Sequence, residues 1–225
     1  MAKDSKKKQK KKEGPKPATI LLVRHGENDL TETHKLAGRT PGVHLNAYGQ
    51  QQAEALGKRL ANRELHAIYA SPLERTVETA QAIVQHHKNL TLKTDPRLLE
   101  ADYGVWTGKK IKDLAKTDMW PVVQYFPSGA GFPEGETMYE MQARFISAIN
   151  SLAGKHPGET IVIVGHADLI KGAIAHYLGV HFDLFQRIVV STASITVISL
   201  GKMGPRVVTV NDTTHNPSRP EKSSK

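Results

Sequence analysis

Residues 18–28 read ATILLVRHGEN, and this stretch decides how the rest of the chain is interpreted. Its first six residues are an uninterrupted apolar run rich in β-forming side chains, which predicts a short buried strand over 18–23. Arg24 and His25 follow that strand directly. An arginine beside a histidine at the tip of a buried strand raises the question of which ligand they would meet there.

The rest of the chain alternates between strand-like and helix-like segments. Further strands are predicted at 67–71, 90–94, 160–164, 194–200 and 206–210, and helices at 47–62, 73–87, 136–153 and 167–178. Strands that alternate with helices favour a mostly parallel sheet covered on both faces. The sequence therefore predicts an α/β fold, a three-layer doubly wound sheet, with the last two strands forming a hairpin.

Residues 100–135 interrupt this alternation. They are rich in glycine and proline, hold both tryptophans, and contain one short predicted helix near 109–117. Long irregular segments in compact domains are usually functional, so we expect a small irregular and helical cap over one end of the sheet. The expected organisation is a tail over 1–17, one domain over 18–210 and a flexible tail over 211–225.

The positive charge of the chain is concentrated at its start. The net charge is +9, and residues 1–17 hold eight lysines against Asp4 and Glu13. A segment so poor in apolar residues predicts a disordered tail. No aromatic side chain lies among these lysines to stack on bases, so a solubilising tail is favoured over a tether to nucleic acid or another polyanion.

Composition excludes several classes of site. The 225 residues include no cysteine, which excludes disulfide bonds, iron–sulfur clusters and thiolate zinc sites, and is consistent with a cytoplasmic location. No apolar stretch approaches the length of a transmembrane helix, so no membrane partner is expected. Hydrophobic residues make up 39% of the chain, which is enough for an ordinary globular core.

Basic side chains follow three of the predicted strands. Arg24 and His25 follow the first, Arg75 comes shortly after the second, and His166 follows the strand at 160–164. Ligands in open α/β sheets bind outside the carboxyl ends of the strands, where these side chains would meet. Two arginines and two histidines at one point describe an anion site, because the donors of arginine match phosphate oxygens.

This set of residues predicts a covalent reaction at phosphorus. A histidine among cations is pushed towards its neutral, nucleophilic form, so phosphoryl transfer through a phosphohistidine is expected. The leaving group then needs a protonated carboxyl group. The candidates are Glu27, Glu74, Glu100 and Asp102, and Glu100 ranks first on position because it follows the third strand.

Five motifs occur in a family-like order: RHGE, SPLERTVETA, LLEADYGVWTG, FPEGET and VGHA. Over about residues 18–200 the chain resembles the histidine phosphatase superfamily, in its phosphoglycerate-mutase-like branch. The resemblance implies the three-layer α/β fold predicted above, with no metal and no cofactor. In the acid-phosphatase and phytase branch the donor aspartate directly follows the second histidine. Here Asp168 stands two residues after His166, which argues against that branch.

The resemblance also implies roles for individual residues. His25 maps onto the nucleophile, Arg24 and Arg75 onto phosphate-binding arginines, His166 onto the second histidine and Glu100 onto the proton donor. Thr31 occupies the position of a usual phosphate-binding asparagine, and Asn28 is the candidate to replace it. The further candidate substrate-binding residues are Asn28, Thr31, Arg39 and Ala167.

The segment between two motifs favours one activity within the family. Only 26 residues, 109–134, separate Gly108 from Gly135, whereas the resemblance implies a longer insertion in cofactor-dependent mutases. We therefore expect a phosphomonoesterase acting on a small phosphorylated metabolite, similar to the broad phosphatases and alpha-ribazole phosphatases. The alternatives are a phosphomutase of the same chemistry and a catalytically silent protein that binds a phosphorylated ligand or polyanion.

Overall fold

The computed structural model describes residues 16–219, which are built around one six-stranded sheet. Its strands are β1 (Ala18–Arg24), β2 (Ala67–Ala70), β3 (Leu92–Thr94), β4 (Thr160–Gly165), β5 (Ile195–Gly201) and β6 (Gly204–Asp212). They lie in the order β3-β2-β4-β1-β5-β6. The first four are parallel, whereas β5 and β6 form an antiparallel hairpin beside β1. The predicted mostly parallel sheet and its terminal hairpin are confirmed.

Seven α-helices connect or cover these strands among the described residues. They are α1 (Asp29–Glu32), α2 (Ala47–Leu60), α3 (Glu74–Val84), α4 (Ile111–Leu114), α5 (Met119–Tyr125), α6 (Met138–Lys155) and α7 (Ala167–Leu178). The longest, α6, begins with a capping box in which the side chains of Thr137 and Glu140 each accept a backbone hydrogen bond from the other residue. Helix α7 ends at Gly179, whose φ of 67° suits a glycine.

Strand β1 is apolar on both faces because each face meets its own core. Ile20 and Leu22 belong to the core formed with α6 and α7. Leu21 and Val23 belong to a second core, which includes apolar side chains of α2 and α3. Successive strand residues point to opposite faces, so the strand is buried between two helical layers. The three-layer architecture predicted from the sequence is confirmed.

The cap contains more helix than the sequence predicted. The expected helix near 109–117 is only the short α4, and α5, which contains Pro121, was not predicted. Pro121 is the third residue of that helix, and a first turn tolerates proline since its N–H groups have no intrahelical partner. A 3₁₀-helix at Phe182–Arg187 was also not predicted.

The C-terminal boundary differs from the expected one. Strand β6 extends beyond residue 210 to Asp212. Residues 213–219, expected to be flexible, fold back onto the domain: Asn216 Nδ2 donates to the Thr192 carbonyl at 3.0 Å, and the Tyr48 hydroxyl donates to the Pro217 carbonyl at 2.9 Å. Most of the lysine-rich tail predicted over 1–17 lies outside the described residues. Within residues 16–219, no helix has the length and apolar character needed to span a bilayer.

Candidate active site

The sheet places the two predicted site histidines side by side. Arg24 at the end of β1 pairs with Gly165 at the end of β4. The residues that follow the two strands, His25 and His166, are therefore neighbours. Their ring centroids are 5.3 Å apart, and the backbone N–H of His25 donates to the Gly165 carbonyl at 3.0 Å. Both side chains are buried. The strand pairing thus fixes the relative position of two imidazoles at one edge of the sheet.

The hydrogen bond of His25 determines which of its ring nitrogens is reactive. Its Nδ1 donates to the Gly26 carbonyl at 2.6 Å, so the neutral ring carries its lone pair on Nε2. Burial, and then the positive charges of Arg75 and Arg24, hold the pKa of His25 well below its usual value. The imidazole is therefore neutral near pH 7, with Nε2 able to act as a nucleophile.

Two glycines allow the loop after His25 to pack closely against α2. A Cβ atom on Gly49, in the first turn of that helix, would overlap the backbone of Glu27. The backbone N–H of Gly26 donates to Thr79 Oγ1 at 3.0 Å, which ties the loop to α3 as well. Both contacts hold the backbone beside His25 in one conformation.

Arg75 links the second histidine to the loop after α1. It projects from the first turn of α3 and is fully buried. Its Nη2 donates to the Gly38 carbonyl at 2.8 Å and lies 3.3 Å from Nδ1 of His166. Because an arginine can only donate, His166 Nδ1 accepts, and Nε2 of the neutral ring carries the hydrogen. Burial, and then the charge of Arg75, keep the pKa of His166 well below its usual value.

Several buried donors of this cluster have no hydrogen-bond partner among residues 16–219. They are Arg24 Nε, Asn28 Nδ2, Arg75 Nε, Arg75 Nη1 and His166 Nε2. Buried polar atoms are normally paired, since leaving one unpaired costs about 1–3 kcal/mol. A phosphoryl group offers acceptor oxygens and negative charge to such donors. The cluster is therefore suited to hold a tetrahedral anion.

Glu100 supplies an acidic group next to these donors. It follows a 3₁₀ turn at Pro96–Leu98, and its Oε2 lies 3.7 Å from His166 Nδ1. Burial, and then the negative charge of Asp168, raise the pKa of Glu100 to about 7. A carboxyl group with that pKa can release a proton near neutral pH and take it back.

The other carboxylates considered as proton donors are engaged elsewhere. Glu27 accepts hydrogen bonds from Asn46 and Arg219. Asp102 pairs with Arg39. Hydrogen bonds from backbone N–H groups, first that of Gly42, hold the pKa of Glu74 below its usual value. These contacts support the ranking of Glu100 over all three.

A cavity of about 410 Å³ opens beside the cluster. Its lining includes Arg24, His25, Thr31, Arg75, Glu100 and Ala167 from the sequence-predicted set, together with Lys35, Tyr103, Asp168, Lys171, Gln186 and Val190, which were not among the predicted site residues. The Tyr103 hydroxyl donates to Asp168 Oδ2 at 2.8 Å. Among residues 16–219, no group of three or more acidic or histidine side chains is arranged to hold a metal ion.

Two predicted substrate-binding residues have other contacts in the structure. Arg39 is not among the residues that line the cavity: its guanidinium donates to the Glu100 carbonyl at 2.9 Å, to Asp102 and to Glu136. It therefore ties a loop to the cap and positions the backbone of the acid. Asn28 is fully buried, its Oδ1 accepts from the backbone of Thr31 at 2.9 Å, and its Nδ2 remains among the unpaired donors.

Comparisons with known proteins agree with the sequence resemblance. The histidine phosphatase superfamily (branch 1) matches residues 20–213. Phosphoserine phosphatase 1 of Hydrogenobacter thermophilus is 28% identical over 87% of this chain and 93% of its own length. Phosphoglycerate mutase-like protein 4 of Arabidopsis thaliana is 31% identical over 68% of each chain. The structure of YhfR from Bacillus stearothermophilus superposes with a TM-score of 0.83 at 28% identity, covering 89% of this chain and 100% of that one. The chain belongs to branch 1 of the histidine phosphatase superfamily.

Proposed function

We propose that the protein is a phosphomonoesterase that hydrolyses a small phosphorylated metabolite through a phosphohistidine at Nε2 of His25. The observation that carries the proposal is the pairing of a neutral, buried nucleophile with unpaired buried donors at one edge of the sheet. Membership of the family supports the same reaction class, as does the name of the phosphatase relative.

In the first step, the lone pair on His25 Nε2 attacks phosphorus, and the bond from phosphorus to the ester oxygen breaks. Glu100 gives its proton to the departing oxygen, which leaves as an alcohol. Donors of Arg24, Arg75 and His166 bind the equatorial oxygens, where negative charge is spread in the transition state.

In the second step, the carboxylate of Glu100 removes a proton from water as the water oxygen attacks phosphorus. The phosphorus–nitrogen bond breaks, inorganic phosphate leaves, and the imidazole and the protonated acid are restored. A pKa of about 7 for Glu100 suits both directions of proton transfer.

A phosphomutase is the second candidate, because the Arabidopsis relative is named as phosphoglycerate mutase-like. The first step would be the same. In the second step a hydroxyl group of the bound substrate, rather than water, would accept the phosphoryl group. The two activities are distinguished by whether inorganic phosphate or an isomeric phosphate ester accumulates.

The test is hydrolysis of 4-nitrophenyl phosphate in the presence of excess metal chelator. We expect turnover by the wild type and a loss of at least about a thousandfold in His25→Ala, since the nucleophile is removed. His176→Ala is the matched control, because that histidine is exposed on α7. Turnover retained by His25→Ala would contradict the proposal. Absence of turnover in the wild type, with phosphate esters bound, would favour a silent binding protein.

A further inference from the structure

A second cavity adjoins the candidate active site on the side of the cap. It has a volume of about 340 Å³ and is lined by Thr33, His34, Lys35, Lys110 and Lys112. We call it the lysine groove. His34 and Lys35 line both this groove and the 410 Å³ cavity. The cavity and the groove therefore meet at these two residues.

Backbone hydrogen bonds hold the two sides of the groove together. Residues 34–36 and 108–111 pair as a short antiparallel bridge between Lys35 and Lys110. The N–H of Leu36 donates to the Lys109 carbonyl at 3.0 Å, and the N–H of Ile111 donates to the His34 carbonyl at 2.9 Å. The lysines thus stand on a fixed backbone frame, although Lys35 lies 75 residues from Lys110 and 77 residues from Lys112 in the chain.

The three lysines of the groove lack acidic partners. Lys35, Lys110 and Lys112 form no ion pair with any carboxylate in residues 16–219. Nearby lysines do form such pairs: Lys116 Nζ lies 3.7 Å from Asp113, and Lys171 Nζ lies 3.4 Å from Asp168. Uncompensated ammonium groups around one concavity create a positive potential that attracts anions.

We propose that the lysine groove binds a second anionic group, carried by the leaving group of the substrate. The substrate class is then a phosphomonoester with another phosphate or a carboxylate at its far end. This inference rests on the proposed function, because the first phosphate must lie at His25. Lys35, half-buried where the two cavities meet, contacts the middle of such a molecule, and Lys110 and Lys112 contact its far end.

The experiment compares alkanediol phosphates of three to six carbons that differ only at the far end. The matched substrates carry a hydroxyl, a carboxylate or a second phosphate there. For at least one chain length we expect kcat/KM of the wild type to be about tenfold higher with a charged end than with the hydroxyl. That is the size expected of two or three partly exposed ion pairs. The kcat/KM of the bisphosphate is halved before the comparison, because either of its two phosphates can react.

The variant Lys110→Gln/Lys112→Gln should lower this preference ratio to near one, whereas Lys116→Gln, which removes a charge outside the groove, should retain it. Raising the salt concentration should lower the ratio of the wild type, since exposed charges are screened. A wild-type ratio near one at every chain length, or a ratio unchanged in the double variant, would overturn the inference. In that case, turnover of 4-nitrophenyl phosphate that is still lost in His25→Ala would show that the proposed function holds without the lysine groove.

Discussion

The two halves of the candidate site are built in different ways. On the phosphate side, His25, Arg75 and His166 are buried and follow strands that pair directly or lie in one sheet. On the leaving-group side, the cavity wall comes from separate loops and helix faces, including Lys35 and Val190. One half is fixed by the topology of the sheet, whereas the other depends on which loops happen to meet.

This difference separates chemistry from specificity. The donors around His25 cannot move without disturbing the central strands, so the reaction at phosphorus is constrained by the whole fold. Loops on a rigid scaffold tolerate change far better and commonly carry selectivity. Changes to the phosphate half should therefore affect every substrate alike, and changes to the other half should discriminate between substrates.

The largest predicted effect in this comparison belongs to Arg75. Arg75→Lys should lower kcat/KM by about a hundredfold or more, because a single ammonium group replaces the planar donors that face the phosphoryl oxygens. The loss should be similar for aryl and alkyl phosphates, since every substrate shares the phosphate. Steady-state kinetics on both classes check this, with the exposed Arg63→Lys as control. A loss confined to one class would break the division into halves.

Glu100 lies between the halves, and its replacement should distinguish leaving groups. Glu100→Gln should lower kcat/KM by about a hundredfold for alkyl phosphates and far less for 4-nitrophenyl phosphate, whose leaving group needs no proton. In the wild type, turnover of alkyl phosphates should fall as pH rises through about 7, where the protonated acid is lost. A pH profile that Glu100→Gln leaves unchanged would contradict this role.

A smaller effect is expected from Asp168, which belongs to the leaving-group half. Its negative charge is the second cause, after burial, of the raised pKa of Glu100. Asp168→Asn should lower that pKa, so the loss of alkyl phosphatase activity with rising pH should begin about half a unit to one unit lower. The exposed Asp113→Asn is the control. If this loss of activity moved to higher pH in Asp168→Asn, the charge of Asp168 would lower the pKa of Glu100, which contradicts the role given to it here.

The smallest predicted effect concerns Arg219, at the end of the described chain. Its guanidinium pairs with Glu27 at 3.0 Å and Glu32 at 3.2 Å, yet its side chain is 46% exposed. Arg219→Ala should therefore reduce the free energy of unfolding by about 1 kcal/mol or less. Urea denaturation measures it. A loss of several kcal/mol would mean that residues 213–219 are an integral part of the domain.

The sequence indicated which residues of the phosphate half would lie together, because its signals are local. His25 directly follows an apolar run, and Glu100 could be ranked from its position after a strand. The lysine groove gave no such signal, since the pairing of Lys35 with Lys110 depends on how two distant loops meet. Arg39 was misplaced for the same reason: the carboxylates that bind it, Asp102 and Glu136, lie 63 and 97 residues along the chain.

The central claim is a phosphoryl group on Nε2 of His25, and rapid-quench labelling tests it most directly. Glu100→Gln mixed with 4-nitrophenyl phosphate should accumulate the intermediate, because the first step needs no acid with this leaving group and the second step lacks its base. We predict an acid-labile phosphoryl group on Nε2 of His25, detected by mass spectrometry and phosphorus NMR, and absent from His25→Ala. Attachment to another residue or to Nδ1, or turnover with no protein-bound phosphate at any time, would contradict the account.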